Sequence, residues 1–120
     1  MPPVAIVQNM LYYHDVLAAP PRLDALTRVG RALADPTRCQ LLMALLDSPA
    51  YPAGLAMTLG LTRANVSNHL ACLRGCGLIT GTPQGHHVRY DLADPALAHA
   101  LRDLADLVLT IQPHDSCPAS

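Results

Sequence analysis

Apolar positions along the chain recur at two different spacings, and together they predict a series of short helices interrupted by one hairpin. Leu23, Leu26, Val29 and Leu33 fall at helical spacing, which predicts a first helix over about Leu23–Ala34. Asp35-Pro36 follows, a capping side chain with proline at the first helical position, and opens a second helix to about Asp47. Leu41, Leu42, Leu45 and Leu46 face inward from it, and Ser48-Pro49 stops it. A third helix over about Pro52–Leu59 ends at Gly60. After the tight Gly60-Leu61 turn, Thr62 caps a fourth helix, roughly Arg63–Gly75, that buries Val66, Leu70 and Leu73. Two short helices joined through a glycine-containing turn form the helix-turn-helix signature.

Beyond Leu78 the period shortens to two. Val88, Tyr90 and Leu92 point one way and His87, Arg89 and Asp91 the other, the pattern of a half-buried strand. The turn residues Pro83 to Gly85 separate it from an earlier strand, so a hairpin follows directly on the fourth helix, as a wing does. Asp94-Pro95 repeats the cap signature and opens a last helix to about Ile111. Its Leu97, Leu101, Leu104, Val108 and Ile111 make a near-heptad stripe. A small domain has no core left to cover such a stripe, which assigns it to a dimer seam.

The fold class expected is therefore mainly α: a winged helix-turn-helix of five or six helices plus a two-stranded hairpin, paired as a homodimer through its first and last helices. Residues 1–21 form a leader broken by Pro2, Pro3, Pro20 and Pro21, whose middle, Asn9–Ala19, can make a short helix. Residues 22–112 are the DNA-binding and dimerisation domain, and 113–120 a polar tail.

Composition sharpens this outline. The 120 residues suit one domain, 51% are hydrophobic, and Phe and Trp are absent, so Leu, Ala and Val must build the core. Every cation is Arg and every carboxylate Asp, eight against nine, for a net charge of −1. Any affinity for nucleic acid must come from a local patch. No run is apolar enough to span a bilayer, and the first ten residues lack the basic and apolar regions of a secretory signal. The expectation is a cytoplasmic protein with no membrane partner, in which four cysteines serve ligand or redox chemistry rather than disulfides. With no phosphate loop, no nucleophile elbow and no Glu, an enzyme is not expected.

The chemistry concentrates on the fourth helix. Thr62, Arg63, Asn65, Ser67 and Asn68 crowd its start, the short polar side chains and Arg that reach base edges and phosphates in a major groove. On an isolated helix they would be an ordinary solvated face; between a tight turn and a wing, DNA contact is the stronger reading. Arg89 and His87 would touch phosphate beside the groove. Cys72 and Cys76 stand one helical turn apart. Free cysteine is commonly a small buried hydrophobe, but at about 100° per residue both lie on the flank of the Val66/Leu70/Leu73 face. Two thiolates so spaced can clamp one soft ion, and Cys117, in the tail, can supply a third. Cys39 is structural. His69 and His114 are candidate auxiliary ligands, with packing and a solvated tail as the blander alternatives. His86 is a wing-turn residue, His99 and Asp103 a surface pair, and the role of His14 stays open.

Taken together, Arg31-Ala-Leu-Ala-Asp-Pro-Thr-Arg38, the helix from Leu61 to Leu78 and the wing ending Val88-Arg-Tyr90 resemble the ArsR/SmtB family of metal-sensing winged-helix repressors, over about Leu23 to Cys117. The chain is most similar to the family's cadmium- and lead-responsive members, which share cysteines at the positions of Cys72, Cys76 and Cys117. The resemblance implies a dimer that sits on operator DNA and leaves it when Cd(II) or Pb(II), or Zn(II), binds those thiolates, freeing an efflux gene. It also implies that the tail cysteine meets the helix pair of the other subunit. The family's other sensing sites have no full counterpart. There is no cysteine around Leu55 to Thr58, and of the last-helix ligands only Asp94 has a match, with Ala96, Leu107 and Thr110 in the other positions. Two other functions fit the same residues: a thiol or persulfide sensor of this fold, and a winged-helix module that binds protein only.

Overall fold

A computed structural model describes residues 9–108, with side chains described over 21–107. The elements are α1 (Asn9–Leu33), α2 (Pro36–Asp47), α3 (Pro52–Leu59), α4 (Arg63–Gly75), β1 (Ile79–Gln84), β2 (His87–Leu92) and α5 (Pro95–Val108), a winged helix-turn-helix. The chain divides into two compact units, residues 1–39 and 40–120. Among the described residues no helix is long and apolar enough to cross a membrane.

In the first unit α1 runs unbroken through Pro20 and Pro21, where the proline pattern predicts a boundary between leader and domain. Proline's φ is already helical, but inside a helix each proline removes an amide donor and its ring crowds the carbonyl four residues back, so a helix that continues through the pair does so at a cost. The end of α1 is closed by side chains from the start of α2. The Arg38 guanidinium donates from Nε to the Ala32 carbonyl at 3.1 Å and from a terminal nitrogen to that of Arg31 at 2.8 Å. The Cys39 thiol donates to the Leu33 carbonyl at 3.0 Å. These are carbonyls that a helix end leaves without intrahelical partners. The Asp35 carboxylate accepts the Arg38 amide at 2.9 Å and so caps α2. Burial pushes the Cys39 thiol above its ordinary range, the Asp35 charge adds to this, and Arg38 opposes it.

The second unit holds a core of Leu41, Leu42 and Leu45 from α2, Leu55 and Ala56 from α3, and Val66, Leu70 and Leu73 from α4, closed by Leu78, Ile79 and Leu101. Each large side chain buried there contributes about 1.5–3 kcal/mol of transfer free energy. Leu46, expected to face inward, is only half-buried, and its carbonyl accepts from Arg102 of α5 at 3.2 Å. α3 packs on α4, α4 on β1, and both α3 and α5 on β2.

Backbone chemistry sets the turn between α3 and α4. Gly60 adopts φ 68°, a left-handed conformation that ends α3 at little cost for glycine, and the Leu61 amide returns to the Ala56 carbonyl at 2.9 Å. Two residues on, the Thr62 hydroxyl accepts the Asn65 amide at 3.0 Å and starts α4. At its other end α4 closes in a Schellman motif. Gly77 has φ 80°, its amide reaches the Arg74 carbonyl, and the Leu78 amide reaches that of Leu73, both at 3.0 Å. Leu73 and Leu78, the apolar pair of that motif, are both buried.

The wing pairs β1 and β2 antiparallel, from Ile79 with Leu92 to Gln84 with His87. Its turn is Gly85-His86, so Pro83, expected in the turn, lies within β1 opposite Val88. A two-residue hairpin turn wants positive φ at its first position, and Gly85 supplies it at 65°. β2 also pairs on its other side: Ala50 and Tyr90 exchange amide-to-carbonyl bonds of 3.0 and 2.8 Å. With neighbours on both edges, Val88 to Leu92 are all half-buried, and the alternation expected of β2 is blurred.

Asp94 caps α5, its carboxylate accepting the Ala96 amide at 2.7 Å. The leucine stripe of α5 is not wholly free for a seam, because Leu101 belongs to the core. Of that stripe Leu104 is 44% exposed and Leu97 half-buried, while Ile111 and the Val108 side chain lie outside the described residues; Leu107, off the stripe, is 52% exposed.

Replacing Thr62 by Ala removes the cap of α4 and should cost about 1 kcal/mol in urea unfolding, with Thr62→Ser close to wild type. Because the Cys39 pKa is raised in the folded state, its contribution is complete below the ordinary thiol range and fades as pH climbs through it. Urea midpoints measured from neutral pH to about pH 10 should therefore fall less steeply in Cys39→Ser than in wild type.

Candidate functional site

The polar start of α4 is open to solvent. Thr62, Arg63, Ser67 and Asn68 are exposed and Asn65 is half-buried, while Val66, Leu70 and Leu73 on the opposite face are buried. The Thr62 hydroxyl oxygen is engaged by the Asn65 amide, so this residue acts first as the cap. No acidic residue occupies the first turn. Apart from the Asn65 amide, held by Thr62, the first-turn amides and positive dipole end stand beside Arg63 with no carboxylate to neutralise them, a setting that favours anions in general. In a chain of net charge −1, the start of α4 is thus a locally basic edge.

On the wing, the two residues expected to meet phosphate are held differently. His87 is exposed, and its imidazole meets the Tyr51 ring edge-on, with centroids 6.0 Å apart at 73°. Arg89 is half-buried, and its Nε is buried with no hydrogen-bond partner. This arginine therefore lies partly against the protein surface, at the cost of one unpaired buried donor. Two residues of this cluster escaped the reading of the sequence. Tyr51 donates its hydroxyl to the Gln84 side-chain oxygen at 2.5 Å, across a separation of 33 residues. The signal that could have found Tyr51 is its type: an aromatic at the mouth of a helix, in a chain with 3% aromatics.

The two helix thiols lie together on one flank. Cys72 is exposed and Cys76 half-buried, both are free, and the Cys76 amide donates to the Cys72 carbonyl at 3.0 Å. Cys76 is the C-cap of α4, two residues before the buried Leu78 from which β1 departs. The pair therefore sits at the junction of helix and wing. Among the described residues no group of three or more His, Cys, Asp or Glu is placed to hold an ion. The described pair supplies two sulfur donors, and a trigonal site needs a further one. Cys117 and His114 lie outside the described residues, as does the side chain of His14. His69 is half-buried on α4. Cys39 is committed to the end of α1. Asp94, the one partial match to a last-helix ligand, is committed to capping α5. His86, His99 and Asp103 are exposed.

This arrangement has relatives. The family model for bacterial regulatory proteins of the arsR family matches residues 35–80, from the cap of α2 into the wing. The HTH-type transcriptional regulator CmtR of Mycobacterium tuberculosis is 59% identical over 98 residues, 82% of this chain and 83% of that protein. The NMR structure of the cadmium metal-sensor CmtR from the same organism has a TM-score of 0.62 at 58% identity, covering 78% of this chain and 98% of that one. A homodimeric winged helix-turn-helix DNA-binding domain, Mb0332 of Mycobacterium bovis, has a TM-score of 0.70 at 27% identity, covering 80% of this chain and 92% of that one. With identity this high over most of both sequences, and a shared fold, the chain belongs to the arsR family of bacterial regulatory proteins.

Proposed function

We propose that this protein is a metal-responsive transcriptional repressor. It binds operator DNA as a dimer and lets go when a soft ion, Cd(II) or Pb(II), is taken up by cysteine thiolates, so that genes of metal efflux or resistance are expressed. The observation that carries the reading is the placement of Cys72 and Cys76. They are one turn apart and reachable from solvent, on the helix whose start presents Arg63, Ser67 and Asn68. The similarity to a cadmium sensor supports the same reading. Thiolate donors favour soft ions over magnesium or calcium, with Zn(II) as a borderline case. Cys117 is the proposed third ligand, in keeping with a pair that needs one more donor.

The DNA-binding residues in this proposal are Arg63, Asn65, Ser67 and Asn68 in the major groove, with Thr62 fixing the helix start and His87 and Arg89 at flanking phosphates. Eight arginines per chain make a modest electrostatic contribution, which favours two subunits on a palindromic site. Each unit offers apolar surface for such pairing. Leu23 and Leu26 of α1 are 66% and 70% exposed, and Leu104 and Leu107 of α5 remain open to solvent. The Mb0332 domain is homodimeric.

The coupling is local. Cys72 lies in the last full turn of α4 and Cys76 at its cap, so drawing both toward one centre with a tail residue attached restrains the joint between α4 and β1. A change there moves the groove-reading side chains relative to the wing. Couplings of about 1–3 kcal/mol are ordinary and change affinity by roughly 5- to 150-fold, enough to vacate an operator.

Cys72→Ser should bind promoter DNA as wild type does without metal, and hold it at cadmium concentrations that strip the wild-type protein. Release at the wild-type concentration, followed by fluorescence anisotropy, would sink the proposal. Cys39→Ser should keep a full metal response. Since thiolates must lose protons to bind, the cadmium needed for release should rise as pH is lowered from about 8 to 6.

A further inference from the structure

We propose that Tyr51 is a positioning residue for DNA binding: it fastens the wing to the start of the helix-turn-helix and so sets where His87 and Arg89 meet the phosphate backbone. The inference rests on the reading that α4 and the wing together hold DNA.

Tyr51 occupies the N-cap position of α3 in extended conformation, φ −111° and ψ 151°, and its side chain makes no cap hydrogen bond. The side chain turns to the wing instead. Its hydroxyl donates to the Gln84 side chain at 2.5 Å, and its ring meets His87 edge-on at 6.0 Å. Gln84 and His87 are the pair that flanks the Gly85-His86 turn, so one tyrosine grips both strands at the base of the wing tip. The residue before it, Ala50, is already bonded to Tyr90 in both directions. In that antiparallel register the next position carries Tyr51 alongside Arg89, the residue whose Nε is buried and unpaired.

Tyr51 is 39% exposed, outside the core, so burial alone does not account for it. A two-stranded hairpin is marginal in water by itself. A wing free to sway would have its contact side chains ordered only on binding, at an entropic cost for each rotamer-rich side chain. The backbone pairing of Ala50 with Tyr90 fixes the middle of β2. The tyrosine extends that fixation by three residues, to the end of β2 where His87 stands. Phosphate contacts set position and carry no sequence information, which makes the proposal distinguishable from any effect on α4.

The test uses the full chain as wild type, Tyr51→Phe, Gln84→Ala and the double variant. The probes are a labelled duplex from the promoter upstream of its own gene and a scrambled duplex of equal length, each titrated across salt. Losing one hydrogen bond should weaken Tyr51→Phe about 3- to 10-fold on both duplexes, with a shallower salt dependence and a melting temperature near wild type. Gln84→Ala should match it, and the double variant should be no weaker than either single one. Wild-type affinity and salt slope in Tyr51→Phe would overturn the proposal. So would additive losses in the double variant, or a loss confined to the promoter duplex. Failure of the wild-type protein to bind either duplex at low salt would overturn the DNA reading itself, and this proposal with it.

Discussion

Burial of one narrow stripe on α4 is the constraint from which the rest follows. Val66, Leu70 and Leu73 are fully enclosed, and they anchor a helix of 13 residues to the core along a single edge. Most of the remaining circumference is exposed, with Asn65 and His69 half-buried. Its first turns carry polar side chains with an unneutralised helix N-terminus, and its last turn carries Cys72. The Leu73 carbonyl accepts the Leu78 amide, so the closure of α4 and the departure of β1 share one hydrogen bond. The polar face of α4, its thiols and the first strand of the wing are thus adjacent along one stretch of chain.

The helix ends show how a core without Phe or Trp is supplemented. A chain of aliphatic side chains packs well but gives little directionality, and the specific geometry comes from termini. Asp35, Thr62 and Asp94 close the starts of α2, α4 and α5. Gly60 and Gly77 close the ends of α3 and α4, while Arg38 and Cys39 close the end of α1. Each is worth about a kilocalorie per mole or less, yet each fixes where an element stops. In a molecule whose polar α4 face and wing lie on two consecutive elements, where an element stops matters as much as how tightly it packs.

Local signals made much of this legible in the sequence. The bounds of α3 and α4, the Thr62 cap and the Val66/Leu70/Leu73 stripe follow from periodicity and capping chemistry over a few residues. The flank position of Cys72 and Cys76 followed from the same geometry. Other features depend on partners far away in sequence or on a residue with two acceptable roles. Pro20 and Pro21 suit a helix start as well as a loop, and α1 passes through them. Pro83 suits a turn as well as an outer strand, and it is the strand that forms. The pairing of Ala50 with Tyr90 and the reach of Tyr51 to Gln84 each join residues more than thirty positions apart, which no local pattern encodes. Leu101 looked free because its stripe is regular, whereas the cover for it comes from the fold around α5.

The place of Pro83 has a consequence for how such molecules coexist. β1 is the outer strand of its sheet, the kind of border along which unrelated copies can stitch together. A residue with no amide hydrogen at that border withholds a donor from any intruding backbone. The hairpin is thereby less open to strand addition along that border, whatever else approaches it.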